Sequence, residues 1–261
     1  MKPRLILVYR NMKRNIPHEI EPLKALQEFT TARIAIGRVG TSIPLKQSLD
    51  FKLAHAHARD AVYSELNISH LTDVFKQFNL PILQLHSRVT HRRQYLQRPD
   101  FGRKLNEASL SQLEDYFIQT DIAIIIADGL SATAVNENTF GLLKELIPLL
   151  LAADFKFAPI SLVEQGRVAI GDDIGYNLKA QLSLMLIGER PGLSSADSVG
   201  AYLTYGPKPG LTDESRNCVS NIRPKGLTYK KAAKKIFYLI SEAFKRKLSG
   251  VELKDNAGLL S

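Results

Sequence analysis

The sequence has little of what secreted or membrane proteins depend on. Its 261 residues include a single cysteine, Cys218, which excludes an internal disulfide and favours a reducing compartment. The longest apolar runs, such as Ile122 to Ala127 and Leu149 to Ala153, are far shorter than the ~20 residues that span a bilayer. The apolar segment after Met1 is also too short for a secretory signal. We therefore expect a cytoplasmic protein without a membrane span.

Motifs of several common enzyme classes are also missing. The dinucleotide fingerprint Gly-x-Gly-x-x-Gly and the phosphate loop ending in Gly-Lys-Ser/Thr are both absent, which disfavours a standard NAD or ATP enzyme. The nearest matches to the Gly-x-Ser-x-Gly nucleophile elbow begin at Gly129 and Gly192, and each lacks the final glycine. Cys218 has no histidine beside it in the sequence, and a lone cysteine is more often a packing residue than a nucleophile.

The histidines do not have the spacing of a metal site. His55 and His57 are two residues apart on a predicted helix, so their side chains diverge. His86 and His91 lack cysteine or carboxylate neighbours at the spacing of zinc ligands. We expect no metal ligand in this chain.

The charge of the chain predicts an anionic partner. Its formal net charge is +9, which suits a nucleic acid, a phosphate-bearing cofactor or an acidic protein surface. The basic residues form two groups, one comprising Arg88, Arg92, Arg93, Arg98, Arg103 and Lys104 and the other Lys230, Lys231, Lys234, Lys235, Lys245, Arg246 and Lys247. The first group surrounds a predicted loop, Val89 to Gly102, whose Tyr95 and Phe101 suit a contact surface. No recognised nucleic-acid module or aromatic platform accompanies it.

The pattern of apolar residues predicts an α/β protein. Residues 1–75 are predicted to form an N-terminal helical region, clearest from about Pro44 to Leu66. Its apolar residues are expected on one buried face, and they are Leu45, Leu49, Leu53, Ala56, Val62 and Leu66. Predicted strands then alternate with predicted helices; the strands are Ile82 to Leu85, Ile122 to Ala127, Pro159 to Val163 and Leu182 to Ile187, and the helices include Ser109 to Gln119, Val135 to Ala152, Asp172 to Lys179 and Tyr229 to Leu248. Residues 76–261 are therefore predicted to form a Rossmann-like domain with a mostly parallel sheet.

Three glycine-containing turns are expected at the ends of the predicted strands. They are Asp128 to Ala132, Gly171 to Asp173, and Gly188 to Gly192. Ligands of open α/β sheets bind beyond the carboxyl ends of the strands, and glycine allows close backbone approach there. Plain αβ turns are an equally good interpretation of each one taken singly. Leu193 to Pro224 is rich in glycine, proline, serine and asparagine, and we expect it to be an irregular stretch over the same edge.

Five segments, taken together, resemble one family. They are Ala32 to Ser42, Tyr95 to Arg103, Arg167 to Asp172, Ile187 to Ser195 and Arg216 to Pro224. In this order they are similar to segments of the small subunit of ethanolamine ammonia-lyase, an adenosylcobalamin-dependent enzyme. The resemblance covers residues 32–224 and includes the specific motifs Arg-Val-Ala-Ile-Gly-Asp and Arg-Asn-Cys.

The resemblance implies a cofactor and a partner chain. Adenosylcobalamin would lie between this chain and the large subunit of ethanolamine ammonia-lyase, which carries the substrate pocket for ethanolamine. The family's small-subunit cofactor contacts fall on Val168, Glu189 and Cys218. No histidine has the Asp-x-His-x-x-Gly context in which a protein side chain replaces the nucleotide base, so the cofactor is expected to keep its own base on cobalt. No catalytic residue is expected in this subunit.

The sequence leaves two alternative functions, and a bacterial microcompartment as an alternative location. A freestanding Rossmann-like oxidoreductase would need the glycine fingerprint that the sequence lacks, and a basic nucleic-acid-binding protein would need a binding module. Family members sorted into bacterial microcompartments often carry an amphipathic targeting helix ahead of the conserved body. Met1 to Asn15 is basic and mixed, so we expect no such helix there.

Overall fold

The computed structural model describes residues 24–30, 32–116 and 118–254. The chain divides between Asp50 and Phe51 into two compact units. The expectation for Met1 to Asn15 falls outside the described residues, and the proposed division between residues 75 and 76 stays a prediction. None of the helices in the described ranges is long and apolar enough to cross a membrane.

The helices and strands follow the predicted alternation. The helices are α1 (Leu45–Tyr63), α2 (Ile68–Phe75), α3 (Arg92–Gln97), α4 (Glu107–Glu114), α5 (Ala132–Ala152), α6 (Ile170–Asn177) and α7 (Tyr229–Arg246). The strands are β1 (Ile82–His86), β2 (Thr120–Ala127), β3 (Ile160–Glu164), β4 (Ala180–Gly188), β5 (Val199–Tyr205) and β6 (Asn217–Ile222). Short 3-10 turns comprise Lys24–Glu28, Lys76–Phe78, Phe101–Arg103, Asp213–Ser215 and Gly250–Glu252.

One mixed sheet contains all six of these strands, in the order β1-β3-β2-β4-β5-β6. The first four strands in that order are mutually parallel. β5 then runs antiparallel to β4, and β6 antiparallel to β5. The prediction of an α/β fold with a mostly parallel sheet, preceded by helix, is therefore confirmed.

Alternating side chains of β2 show how the core is layered. Ile122, Ile124 and Ile126 belong to the apolar cluster shared with α2, α5 and α7. Ala123 and Ile125 point the other way and belong to the cluster shared with α4 and α6. Both faces of this central strand are buried because parallel sheets carry helices on each side. The carboxyl edge of the sheet therefore lies between two helical layers.

Two expectations about irregular segments are wrong. Leu193 to Pro224 contains β5 and β6, because the backbone of β5 pairs with β4 in a register that sets Leu203 opposite Leu184. The predicted loop Val89 to Gly102 contains α3, whose N-cap His91 accepts a hydrogen bond from the Gln94 amide at 3.3 Å. Composition alone favoured loops in both places, whereas tertiary pairing and a local cap produced regular structure.

The expected burial is also wrong for the first half of α1, whereas Leu66, just beyond the helix, is buried as expected. Leu45, Leu49 and Leu53 are 73%, 54% and 58% exposed, and Ala61 is the buried residue of this helix. Helical spacing of apolar residues was enough to predict the helix, which the structure confirms within a few residues of Pro44 to Leu66. Burial of the stripe needs a facing surface as well, and that is not a property of the helix itself.

Candidate functional site

A cavity of about 400 Å³ lies at the carboxyl edge of the central strands. Its walls come from the turns after β2 and β3, the end of β4, and side chains of α3, β5 and β6. The lining residues are Tyr95, Gly129, Leu130, Arg167, Val168, Ile187, Gly188, Glu189, Arg190, Tyr202 and Ser220. We call this space the edge cavity. Its position agrees with the expectation that ligands bind beyond parallel strands.

Two glycines, Gly129 and Gly188, allow the close backbone packing at the floor of the edge cavity. The Leu130 amide donates a hydrogen bond of 3.0 Å to the Gly188 carbonyl. Gly129 has a φ of +57°, and a Cβ there would collide with the Gly188 carbonyl oxygen. A Cβ on Gly188 would in turn collide with the Ser131 carbonyl oxygen. Glycine is therefore required at both positions because the turn after β2 lies directly against the end of β4.

Glu189 is fixed in the cavity wall by β6. Its side chain accepts one hydrogen bond from the Ser220 hydroxyl and another, of 3.1 Å, from the Asn221 amide. Its own amide donates to the Ser198 carbonyl at 3.0 Å. Gly200 leaves room for the side chain, since a Cβ there would come within 3.1 Å of Oε1. The half-buried carboxylate keeps further lone pairs with which it can accept from a ligand.

Val168 supplies an apolar part of the wall. It lies between β3 and α6, is half-buried, and packs against the apolar cluster that includes Ile170. The preceding Arg167 is held by its amide, which donates to the Gly102 carbonyl at 2.7 Å. The structure therefore places Val168 and Glu189 around the same cavity, although the strands that they follow, β3 and β4, are separated by β2 in the sheet.

Cys218 lies beside the edge cavity on β6, two residues before Ser220. It faces Tyr202 of β5 in the strand register and is exposed as a residue. Partial burial of the sulfur raises the pKa of the Cys218 thiol, the charge of Glu189 adds to the rise, and a hydrogen bond with the Tyr202 hydroxyl opposes it. The thiol is therefore protonated at neutral pH and suits contact rather than nucleophilic attack.

Cationic and aromatic groups complete the site. The Arg167 guanidinium lies 4.0 Å from the centroid of the Tyr95 ring and donates to the Tyr95 carbonyl at 2.9 Å. Tyr95 is buried, and its hydroxyl donates to the Gly166 carbonyl at 3.0 Å. Arg190 is exposed at the rim. These two guanidinium groups give the cavity the positive charge that a phosphate requires.

A second, larger cleft of about 780 Å³ adjoins the edge cavity. Arg167 and Val168 line both spaces. The larger cleft is otherwise bounded by Arg88, Pro99, Arg103, Lys104, Leu105, Leu110, Ala169, Asp172, Asp173 and residues 209–213.

Within the described ranges, no group of three or more His, Cys, Asp or Glu side chains is placed to hold a metal ion.

Several lining residues were missed by sequence reasoning. Tyr202 and Ser220 belong to the stretch that was predicted to be irregular, and no role was assigned to Tyr95 or Arg167 in the cavity. The alternation of apolar residues at Val199, Ala201 and Leu203 was an available signal for β5. By contrast, the contacts of Tyr95 depend on residues about 70 positions away, which no local pattern reveals.

Comparison with known proteins identifies the family. The family model for the ethanolamine ammonia-lyase light chain matches residues 20–254. The ethanolamine ammonia-lyase small subunit of Pseudomonas putida strain W619 is 50% identical over 250 residues, covering 94% of this chain and 92% of that protein. The corresponding protein of Azotobacter vinelandii strain DJ is 49% identical over 245 residues, covering 92% and 91%. The chain therefore belongs to the family of ethanolamine ammonia-lyase light chains, the small subunits of that enzyme.

Proposed function

We propose that this small subunit holds adenosylcobalamin at the edge cavity, with Val168, Glu189 and Cys218 in contact with the cofactor. Ethanolamine ammonia-lyase is adenosylcobalamin-dependent, so family membership implies this cofactor and a large subunit as partner. The observation that carries the proposal is that Val168 and Glu189 line one cavity. Cys218 lies beside this cavity and is hydrogen-bonded to Tyr202, which also lines it.

The chemistry of the cavity fits part of a corrinoid. Adenosylcobalamin presents amide and hydroxyl donors, one phosphate and a flat apolar ring system. Glu189 offers an acceptor, Arg167 and Arg190 offer positive charge, and Leu130 and Val168 offer apolar surface. A cavity of about 400 Å³ is at the small end of ligand sites. It therefore takes part of the cofactor and leaves the remainder to the large subunit.

The role of this chain in the reaction is to bind and enclose. When bound, adenosylcobalamin supplies the radical chemistry that converts ethanolamine to acetaldehyde and ammonia. Glu189 accepts hydrogen bonds from the bound group and thereby fixes its orientation. Leu130 and Val168 exclude water, which protects a reactive site from side reactions. No residue of this chain is assigned a proton transfer or a bond to cobalt.

Co-expression tests this function directly. We expect acetaldehyde to form from ethanolamine only when this chain, the large subunit and adenosylcobalamin are all present. Equal activity of the large subunit alone with the cofactor would overturn the proposal. The spin resonance spectrum of the cob(II)alamin state is expected to show the cofactor's own base on cobalt; coupling to a histidine nitrogen would contradict that assignment.

A cytoplasmic location forms part of the proposal, supported by the single cysteine of the chain. Fusion of Met1 to Glu21 to a fluorescent protein tests it in cells that form microcompartments. Diffuse fluorescence is expected, and punctate fluorescence would show that this segment targets the compartment.

A further inference from the structure

Asp128 lies directly below the edge cavity without lining it. Its residue exposure is 2%, and it follows the last residue of β2. Oδ1 accepts hydrogen bonds from the Gly129 amide at 2.9 Å and the Gly166 amide at 3.1 Å. One carboxylate oxygen therefore joins the turn after β2 to the turn after β3.

Arg92 extends this connection to α3. Its Nη1 lies 3.3 Å from Asp128 Oδ2, and the side chains are 14% and 3% exposed. The same guanidinium donates to the Gly129 carbonyl at 2.9 Å, and its Nε donates to the Val62 carbonyl at 2.7 Å. A planar fork with several donors is what such a junction requires, and lysine does not provide it.

The junction fixes residues that do line the cavity. The Arg92 guanidinium lies 4.4 Å from the centroid of the Tyr95 ring, and Arg167 contacts the same ring at 4.0 Å. The Tyr95 hydroxyl donates to the carbonyl of Gly166, whose amide is bonded to Asp128. The positions of Gly129, Tyr95 and Arg167 are thus coupled to one buried ion pair.

We infer that Asp128, acting with Arg92, is a positioning residue for the ligand cavity, because it fixes Gly129, Tyr95 and Arg167 while touching no ligand itself. The inference rests on the proposed function, since it takes the edge cavity to be the cofactor site. It assigns a role to residues outside the three contact positions Val168, Glu189 and Cys218.

Stability alone is a poor reason to keep this arrangement. A buried ion pair gains little over packed apolar side chains, because desolvation of both charges offsets their attraction. What the ion pair provides instead is geometry, since the hydrogen bonds of the carboxylate and the guanidinium fork hold several backbone groups in fixed positions. Fixed backbone positions are what the wall of a ligand cavity requires.

The pair also makes the cavity sensitive to pH. Burial raises the pKa of Asp128 to about 6, while Arg92 and hydrogen bonds from Gln165, Gly166 and Gly129 oppose the rise. The charged or titratable side chains around it are Arg92 from α3, the Tyr95 phenol from the same helix, and Arg167 from the turn after β3. Protonation of Asp128 removes its attraction for Arg92 and loosens the wall.

The test uses the full chain in complex with its large subunit. We would titrate the complex with cyanocobalamin, follow absorbance, and compare the wild type with Asp128→Asn and Asp121→Asn. Asp121 is the matched control because it lies at the opposite end of β2 and also accepts two hydrogen bonds, from the Lys156 amide and the Gln181 side chain. We expect Asp128→Asn to raise the Kd about tenfold, because it replaces the charge-assisted contact with Arg92 by a neutral one. Asp121→Asn is expected to change the Kd less than about twofold, because Asp121 lies at the end of β2 away from the cavity.

The pH profile separates positioning from general loss of structure. The Kd of the wild-type complex is expected to rise as the pH falls through about 6, whereas that of Asp128→Asn is expected to be weak and flat. If Asp128→Asn does not fold, Arg92→Lys keeps the charge but loses the fork and is expected to weaken binding equally.

Titration of a Glu189→Gln complex in parallel distinguishes the failure of the positioning role of Asp128 from the failure of the proposed cofactor site. Weaker binding by Glu189→Gln together with unchanged binding by Asp128→Asn and Arg92→Lys would overturn the positioning role alone. Unchanged binding by all the variants would overturn the cofactor site itself.

Discussion

Asp172 and Arg216 form a buried ion pair that joins the first turn of α6 to the residue before β6. Asp172 Oδ2 contacts Arg216 Nη2, and the two side chains are 3% and 2% exposed. Arg216 also donates to the Leu211 carbonyl at 3.1 Å and pairs with the exposed Asp213 at 2.9 Å. The pair connects the motifs Arg-Val-Ala-Ile-Gly-Asp and Arg-Asn-Cys, which carry Val168 and Cys218.

Replacing Arg216 by methionine is expected to destabilise the chain at neutral pH. The Asp172 carboxylate would be left buried without its partner, which costs on the order of 3 kcal/mol. Burial already raises the pKa of Asp172, and Arg216 opposes that rise, so the loss should shrink as the pH falls and Asp172 takes up a proton. Urea unfolding measures the effect. The double variant with Asp172→Asn is expected to recover part of the stability; a purely additive loss would contradict the coupling.

Replacing Glu189 by glutamine is expected to weaken cobalamin binding by about tenfold or more, because a hydrogen bond to a charged acceptor contributes about 1.5–3 kcal/mol. Glutamine retains an oxygen for the Ser220 hydroxyl, so assembly with the large subunit should be unchanged in size-exclusion chromatography. Glu164→Gln is the control, since Glu164 is exposed at the end of β3. Equal affinity of the two variants would argue against Glu189 as a contact.

The glycine at position 188 is expected to tolerate no side chain. Gly188→Ala forces a Cβ against the Ser131 carbonyl, and we expect a loss of unfolding free energy of about 1–3 kcal/mol, as for overpacking elsewhere, with loss of cofactor binding. Gly192→Ala is the control within the same motif, because the nearest atom to its Cβ lies 3.5 Å away. Thermal unfolding and absorbance titration measure both variants. Similar behaviour of the two would contradict the close packing of the turn after β2 against β4.

Asp128 is expected to make stability depend on pH in a defined direction. Its pKa is about 6 in the folded chain against 3.8 for the free side chain, so the folded state binds the proton more tightly. The proton on Asp128 therefore stabilises the folded state fully below about pH 4, and this stabilisation is lost as the pH rises through about 6. The difference in unfolding free energy between wild type and Asp128→Asn should fall over this interval, by about 3 kcal/mol at most. A constant difference from pH 4 to pH 7 would contradict the raised pKa.

Local patterns were enough for the centre of the fold. The apolar run Ile122 to Ala127 predicted β2 because a strand buried on both faces needs apolar side chains throughout. The amphipathic pattern from Tyr229 to Leu248 likewise predicted α7, observed at Tyr229–Arg246. Both signals arise from neighbours along the chain and require no knowledge of the rest of the molecule.

The edge of the sheet and the detail of the site required tertiary information. β5 carries Gly200 within it because Glu189 and Tyr202 occupy the space of a side chain, so its composition suggested a loop. Arg92 pairs with Asp128 across a separation of 36 residues, and the Tyr95 hydroxyl reaches the Gly166 carbonyl across 71. Their hydrogen bonds exist only after the sheet has brought the turns together.

By itself the sequence determined the class of fold and the family, because apolar periodicity and short motifs are properties of neighbouring residues. The candidate contacts Val168, Glu189 and Cys218 follow from the resemblance to that family. Tertiary structure alone decided that Val168 and Glu189 line one cavity, that Arg216 is a buried partner of Asp172, and that Asp128 connects the turns beneath the site. These relationships depend on side chains that approach across strands, and the distance between them is set by the packing of the whole sheet.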